Sequence, residues 1–161
     1  QSKCDAATNR VLDIDPAIDL ICFKERLEAG RVGDLLDRCP AIDYLIDAID
    51  SLAAKADLIA TALDRDIPVI SSMGTGNRLD PLRLCVTNLA GTQGDPLARR
   101  VRQRLRGYPL DKVKVVCSQE APVKPGGEVR AVGSTPFVPP VAGFFIASEV
   151  IGDLVLRGNN G

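Results

Sequence analysis

Segments of helical and extended pattern alternate along the first half of this chain, and this alternation restricts the fold more than any other feature of the sequence. Apolar residues at helical spacing predict three helices, over residues 3–13, over residues 31–39 and after Ser51. Short apolar runs predict three strands, over residues 17–23, 41–47 and 67–72. Strands that alternate with helices form right-handed parallel units. The sequence therefore predicts an α/β fold with a doubly wound, mainly parallel sheet.

The second half of the chain departs from this regular alternation. Its predicted elements are a turn-rich loop (73–81), a strand (82–89), a helix from Pro96 to about Gly107, a strand (113–118), a polar loop (119–135) and a helix (140–156). In the first loop, Gly74 and Gly76 suit a close backbone approach, or a loop that crosses beside the active site, rather than a phosphate cradle, because no third glycine follows. With no internal repeat or linker, we expect one domain over residues 1–161 whose sheet is mixed toward the C-terminus.

The last predicted helix is the most apolar segment of the chain. Its apolar side chains include Val141, Phe144, Phe145, Ile151, Leu154 and Val155. Glu149 and Asp153 interrupt the segment, and its uninterrupted apolar part is shorter than the ~20 residues that a membrane span requires. We therefore expect a core helix and no membrane contact.

The composition excludes several kinds of site. The chain has 161 residues and a net charge of -1, so any contact with nucleic acid must come from a local basic patch. It has no histidine, which excludes catalysis by serine–histidine or cysteine–histidine pairs and histidine-ligated zinc. Its five cysteines form no CxxC pair, which argues against a disulfide framework or a four-cysteine zinc site. With no apolar leader at the N-terminus, this pattern predicts a reducing, cytoplasmic location.

Two carboxylates, Asp47 and Asp50, lie at the end of the strand predicted over residues 41–47, where a ligand crevice opens in sheets of this kind. Asp47 and Asp50 repel each other and resist burial, so a cation would stabilise both. A Mg²⁺ ion on a triphosphate suits Asp50 because hard cations prefer carboxylate oxygen, and the helix after Ser51 directs backbone N–H groups at the same crevice. The alternative is that the two aspartates serve only as a turn and a helix cap.

The helix predicted to begin at Pro96 has a basic face. Leu97, Val101 and Leu105 have the spacing of an inward stripe, so the arginines between them are expected to face outward. These arginines are Arg99, Arg100, Arg102, Arg104 and Arg106. A basic helix face suits contact with a phosphate backbone, which requires positive charge but no reading of sequence. The alternative is a solvated face whose charge the acidic remainder of the chain balances.

Four stretches together resemble the ThiF/MoeB/HesA family of ubiquitin-activating-enzyme-like adenylating proteins. They are QSKCDAATNRVLDIDP, DYLIDAIDSLAAKADLIATALDRDIPVISSMGTGNRLDP, DPLARRVRQRLR and FVPPVAGFFIASEVIGDL, of which DAIDS and GDPLARRVRQRLR are the most specific. The resemblance implies the Rossmann-like fold of this superfamily and activation of a carboxylate with ATP and Mg²⁺. Within the family it favours the branch that dehydrates threonylcarbamoyladenosine in tRNA to its cyclic form.

The resemblance also implies roles for individual residues. Lys3 matches the lysine that contacts the ATP phosphates, and Asp50 matches the aspartate that binds Mg²⁺, so these two are the expected catalytic residues. Asp47, Ala48 and Ile49 fall on the segment beside the nucleotide. The expected nucleotide-binding set is therefore Lys3, Asp47, Ala48, Ile49, Asp50 and Ser51.

The expected partners also come from the resemblance. The arginine helix acquires tRNA as its candidate partner, relatives are commonly homodimers, and a sulfur-relay or ubiquitin-like protein is a further partner to consider. Two alternatives stay open: an adenylyltransferase for the Gly-Gly end of a ubiquitin-like sulfur carrier, and a non-catalytic α/β binding module. The family's first strand and glycine-rich nucleotide loop would lie ahead of Gln1, so we expect this stretch alone to bind ATP poorly.

Overall fold

Four short strands form the sheet in the computed structural model, which describes residues 2–123 and 132–158. They are β1 (Leu45–Asp47), β2 (Val69–Ser72), β3 (Leu84–Asn88) and β4 (Lys114–Ser118). They lie side by side in the order β1-β2-β4-β3, with β1, β2 and β4 parallel and β3 antiparallel to β4. The prediction of a mainly parallel sheet that is mixed toward the C-terminus is thus confirmed.

Five helices accompany these strands in the described residues. They are α1 (Lys3–Ile14), α2 (Val32–Leu36), α3 (Leu52–Asp64), α4 (Pro96–Arg104) and α5 (Val138–Gly158). The start of α4 has a local cause, because the Asp95 carboxylate accepts a hydrogen bond from Ala98 N at 2.9 Å. Pro96 suits the next position, where a backbone N–H would have no partner within the helix. Residues 124–131 of the predicted polar loop lie outside the described residues.

Helices cover the sheet on both faces. On one face α3 and α4 share a core with Val69 and Val115, and on the other α5 packs over Ile70 and Val116. These four strand residues are at most 3% exposed. Consecutive strand side chains point to opposite faces, so strands buried on both sides read as unbroken apolar runs. Burial of each such side chain contributes ~1.5–3 kcal/mol to folding.

The strand predicted over residues 17–23 is wrong. The segment has no regular secondary structure, and Ile18, Leu20 and Ile21 are 42%, 39% and 52% exposed. A strand needs a neighbour for its backbone hydrogen bonds, and no described strand lies beside this segment. β1 is also shorter than the run predicted over residues 41–47, since its pairing with β2 begins only at Leu45.

Helix α5 is a core helix along one stripe only, which corrects the expectation for the whole segment. The stripe consists of Val138, Ala142, Ile146 and Val150, each at most 8% exposed and packed on the sheet. Phe144, Ile151 and Val155 on its other sides are 74%, 63% and 58% exposed. By length and composition alone, Val138–Leu156 could also cross a membrane, with a mean hydropathy of 1.5 and 22% of its residues buried. The sheet contacts nevertheless make its inner stripe part of the domain core.

Candidate functional site

A cavity of about 420 Å³ opens beside the carboxyl ends of β1 and β2. Ala48, Ile49 and Asp50 follow β1 and line one part of it. The loop from Met73 to Arg78 follows β2 and lines another part, together with residues at the start of α4. Ligands of doubly wound sheets bind at the carboxyl ends of the strands, which makes this cavity the candidate binding site.

The Asp47 carboxylate at the end of β1 is fully buried and does not line the cavity. Its Oδ2 accepts hydrogen bonds from Lys55 Nζ at 2.7 Å and from Ser71 Oγ at 2.5 Å. Lys55 Nζ also donates to the carbonyl oxygen of Ser72 at 2.9 Å. The cation expected beside Asp47 is therefore the ammonium group of Lys55, a residue of α3. Asp47 reaches the cavity only indirectly, because its Oδ1 accepts a hydrogen bond from Ile49 N at 3.1 Å.

Lys55, which pairs with Asp47 beside the cavity, is not among the residues predicted from sequence. Burial lowers the pKa of its ammonium group from the ordinary value, while the Asp47 carboxylate raises it. The carboxylates of Asp50 and Asp95 also raise the pKa of Lys55. The charges of two cavity-lining residues therefore affect its ammonium group. The signal that could have found it is spacing: Lys55 lies three residues after Leu52, on the inward stripe of α3.

Asp50 is exposed and lines the cavity, at the position predicted for it after β1. The described residues contain no group of three or more histidine, cysteine, aspartate or glutamate side chains that could hold a metal ion. A cation at Asp50 would thus share one carboxylate with ligand oxygens and water, which is the coordination that Mg²⁺ prefers on phosphates. Ser51 lies at the N-cap position of α3, but its hydroxyl makes no capping hydrogen bond.

The cavity lining contains only one of the two expected catalytic residues, Lys3 and Asp50. Lys3 is an exposed residue in the first turn of α1, and α1 buries none of its residues in the described part of the chain. Asp50 is among the residues that line the cavity, whereas Lys3 is not. The joint role expected for these two side chains therefore stays a prediction.

Asp95 and Arg78 are two further cavity residues that sequence patterns did not single out. The Asp95 carboxylate caps α4 and also accepts a hydrogen bond from Gly74 N at 3.1 Å. A Cβ atom on Gly74 would lie 3.3 Å from Asp95 Oδ2, so the close backbone approach expected at this glycine is confirmed. Arg78 is 1% exposed, and its Nη2 lies 3.8 Å from Asp95 Oδ2. The signal for Asp95 was its place before Pro96, at a helix start.

Two cysteines lie next to each other in the sheet. Cys85 on β3 and Cys117 on β4 are free thiols whose sulfur atoms are 3.7 Å apart. Burial, together with the smaller effect of the neighbouring Cys85, raises the pKa of the Cys117 thiol to about 12. Cys117 is therefore protonated at neutral pH, and a protonated thiol is a weak nucleophile.

The basic face of α4 is smaller than the sequence predicts. Arg99, Arg100, Arg104 and Arg106 are exposed, and their side chains form no hydrogen bond or ion pair with other described residues. Arg102 departs from the expectation of an outward side chain, because it is half-buried and its Nη1 donates to the Thr92 carbonyl oxygen at 3.0 Å and to the Thr92 hydroxyl. Arg106 lies beyond the end of the helix.

Comparison with known proteins gives consistent matches. The model described as the ThiF family matches residues 1–152. The tRNA threonylcarbamoyladenosine dehydratase of Bacillus subtilis is 35% identical over 96% of this chain, which spans 66% of that protein. The protein of the same name from Escherichia coli is 33% identical over 65% of this chain, and the match spans 38% of it. The chain thus covers less than two thirds of the length of these relatives.

The fold also matches solved structures. The E. coli tRNA N6-threonylcarbamoyladenosine dehydratase in complex with AMP has a TM-score of 0.88 and 28% identity, over 99% of this chain and 67% of its own. The same enzyme in complex with ATP has a TM-score of 0.87 and 29% identity, over 99% of this chain and 66% of its own. The fold of this chain is therefore that of these structures.

Proposed function

The chain belongs to the ThiF family, and from that premise we propose that the protein activates the carboxylate of threonylcarbamoyladenosine in tRNA by adenylation with ATP. ATP supplies the adenylyl group, pyrophosphate leaves, and an internal attack on the activated carboxylate closes the ring with loss of AMP. The net change in the modified nucleoside is loss of water. The two dehydratases described above, and the neighbour described with ATP and AMP, support this assignment.

One observation carries the proposal: a cavity at the strand ends whose lining combines Asp50 with a glycine-containing loop. Its volume of about 420 Å³ is in the range of small-molecule sites. The exposed Asp50 carboxylate suits a Mg²⁺ ion on nucleotide phosphates, as argued above from its donor set. Ala48 and Ile49 provide an apolar wall beside it, and Asp47 fixes that wall through Ile49 N.

Three further parts belong to the proposal. Lys3 places a compact positive charge near the phosphates, and Ser51 lies at the start of α3, whose N–H groups favour negative charge. The tRNA backbone contacts the exposed arginines Arg99, Arg100, Arg104 and Arg106. Arg102 instead donates a hydrogen bond to the Thr92 carbonyl oxygen. Residues 1–161 act as a single adenylating domain. The protein is a cytoplasmic homodimer, and analytical ultracentrifugation would measure its mass.

The test is ATP–pyrophosphate exchange by the natural protein with tRNA that carries threonylcarbamoyladenosine. Exchange should require this tRNA and should not respond to a ubiquitin-like carrier protein. Asp50→Ala should slow the exchange by about 100-fold or more, because the metal that balances the developing phosphate charge loses its ligand. The control is Asp43→Ala, which removes an exposed carboxylate before β1. Equal rates for Asp50→Ala and Asp43→Ala would overturn the role of Asp50, and exchange driven by the carrier would overturn the substrate.

A further inference from the structure

Arg78 is a buried cation whose hydrogen-bonding groups are largely unused. Its side chain is 1% exposed, and its Nε and Nη1 atoms are buried without a hydrogen-bond partner among the described residues. Its remaining nitrogen, Nη2, lies 3.8 Å from Asp95 Oδ2, which is too far for a hydrogen bond. Folded proteins rarely leave a buried guanidinium in this state, since buried charges are normally paired and hydrogen-bonded.

Backbone contacts of its neighbours, and not the guanidinium, hold Arg78 in place. On one side, Asn77 N donates to the Gly133 carbonyl oxygen at 2.7 Å, and the Asn77 carbonyl oxygen accepts from Val123 N at 2.8 Å. On the other side, the Glu120 carboxylate accepts hydrogen bonds from Leu79 N at 3.0 Å and from Asp80 N at 3.1 Å. The loop is therefore fixed before and after Arg78, and the side-chain donors are not needed to fix it.

The charges around Arg78 leave room for an added anion. Both oxygens of Asp95 accept backbone hydrogen bonds, from Ala98 N and from Gly74 N. Asp95 therefore lowers the cost of burying Arg78 by its charge but leaves the guanidinium donors free. Arg78 lines the cavity together with Pro96 and Leu97 at the start of α4, and the N-terminus of a helix favours negative charge.

We propose that Arg78 binds an oxyanion of the reactants inside this cavity, either the carboxylate that is activated or a phosphate of the nucleotide. This inference rests on the proposed function and adds a second charged residue to it, on the loop after β2, beside Asp50 after β1. An arginine suits the task better than a lysine, because its planar fork matches the oxygen geometry of a carboxylate or a phosphate.

The experiment measures binding by calorimetry and needs no turnover. The probes are sodium pyrophosphate in one arm and the free nucleoside threonylcarbamoyladenosine in the other. Arg78→Met should weaken binding of one probe by about 10- to 100-fold, because it removes the charge-assisted hydrogen bonds. The probe that loses affinity identifies the bound oxyanion as phosphate or carboxylate. Arg83→Met is the control, since Arg83 is an exposed arginine whose single ion pair within the described residues is with Asp80 at 4.0 Å.

Each outcome bears on the inference. It is overturned if the wild-type protein binds neither probe, or if Arg78→Met binds both as tightly as Arg83→Met does. Should Arg78→Met fail to fold, Arg78→Lys replaces it, because lysine keeps the positive charge but lacks the planar guanidinium group. This variant is expected to bind one of the two probes about 5-fold or more weakly than the wild type. Wild-type affinity of Arg78→Lys for both probes would overturn the inference. Pyrophosphate exchange by the wild-type protein is measured separately. Absent exchange with intact probe binding would contradict the proposed function and leave the Arg78 site standing.

Discussion

At the scale of single residues, the buried pair of Asp47 and Lys55 is expected to have a large effect on stability. Both side chains are fully buried, and the carboxylate is hydrogen-bonded to the ammonium group, to Ser71 Oγ and to Ile49 N. Breaking a buried ion pair by removing one partner is strongly destabilising, because the other charge is left without compensation. The pair is thus a sensitive probe of how the strand ends beside the cavity are held.

We predict that Lys55→Met lowers the free energy of unfolding by about 3–5 kcal/mol, because Asp47 is left as an unpaired buried carboxylate. Urea unfolding followed by circular dichroism measures the change. The double variant Asp47→Asn with Lys55→Met should recover part of the loss, since it removes both charges. The control Lys112→Met alters an exposed lysine and should stay within about 0.5 kcal/mol of the wild type. A Lys55→Met protein as stable as this control would refute the argument.

The position of Asp50 could be predicted from sequence, whereas the states of Asp47 and Arg78 could not. Asp50 follows from one rule, that ligands bind where parallel strands end. The partner of Asp47 depends on Lys55, eight residues away and on another element, and only the packed α3 brings it there. Arg78 lies in a turn-rich loop, and its burial depends on the separate contacts of Val123 and Gly133 with Asn77. Helical spacing marks Lys55 as inward-facing but does not identify its partner, and the loop contacts on either side of Arg78 leave no periodic signal in the sequence.

At the scale of elements, α5 divides into a covered and an uncovered side. Ile146 belongs to the stripe that packs on the sheet and is 5% exposed. Ile151, five residues later on the same helix, is 63% exposed. The two positions share one residue type and one helix, so they separate the effect of packing from that of helix propensity.

We predict that Ile146→Ala costs about 2–5 kcal/mol of unfolding free energy, because it removes buried methyl groups and leaves a cavity against the sheet. Ile151→Ala should change stability by about 0.5 kcal/mol or less in the monomer. Chemical denaturation of both variants provides the comparison. Equal losses at the two positions would mean that the second face of α5 is also covered in solution.

The elements were predicted well where a segment is both long and periodic, or buried on both sides. α3 and α4 begin at the predicted residues, and β2 and β4 match their apolar runs closely. The segment over residues 17–23 fails because its apolar residues resemble a strand in composition, while no described strand pairs with it. In α5 the sequence is apolar nearly all round, so periodicity could not tell which stripe meets the sheet.

At the scale of the whole molecule, the charge distribution matters more than the net charge. The chain as a whole carries -1, yet four exposed arginines lie on and just beyond α4. Contact with a nucleic-acid backbone depends on such a local concentration of positive charge, and each phosphate that is neutralised adds to the salt dependence of binding.

We predict that the triple variant Arg99→Ala, Arg100→Ala, Arg104→Ala weakens tRNA binding. The slope of log K against log salt should fall by roughly 2–3, since about one released counterion is lost for each arginine. Binding at several salt concentrations measures the slope. The control triple Arg31→Ala, Arg38→Ala, Arg83→Ala removes the same charge from other exposed positions and should keep the slope. Equal slopes for both triples would place the RNA elsewhere.

The double hydrogen bonding of Asp95 has a mechanical consequence. One carboxylate fastens both the first turn of the arginine-bearing helix and the glycine loop that borders the cavity. A displacement of that helix would move the Asp95 carboxylate, whose Oδ2 lies 3.3 Å from the position of a Cβ atom built on Gly74. If the proposed tRNA contact shifts α4, Asp95 is the side chain that would carry the shift to the loop beside the cavity.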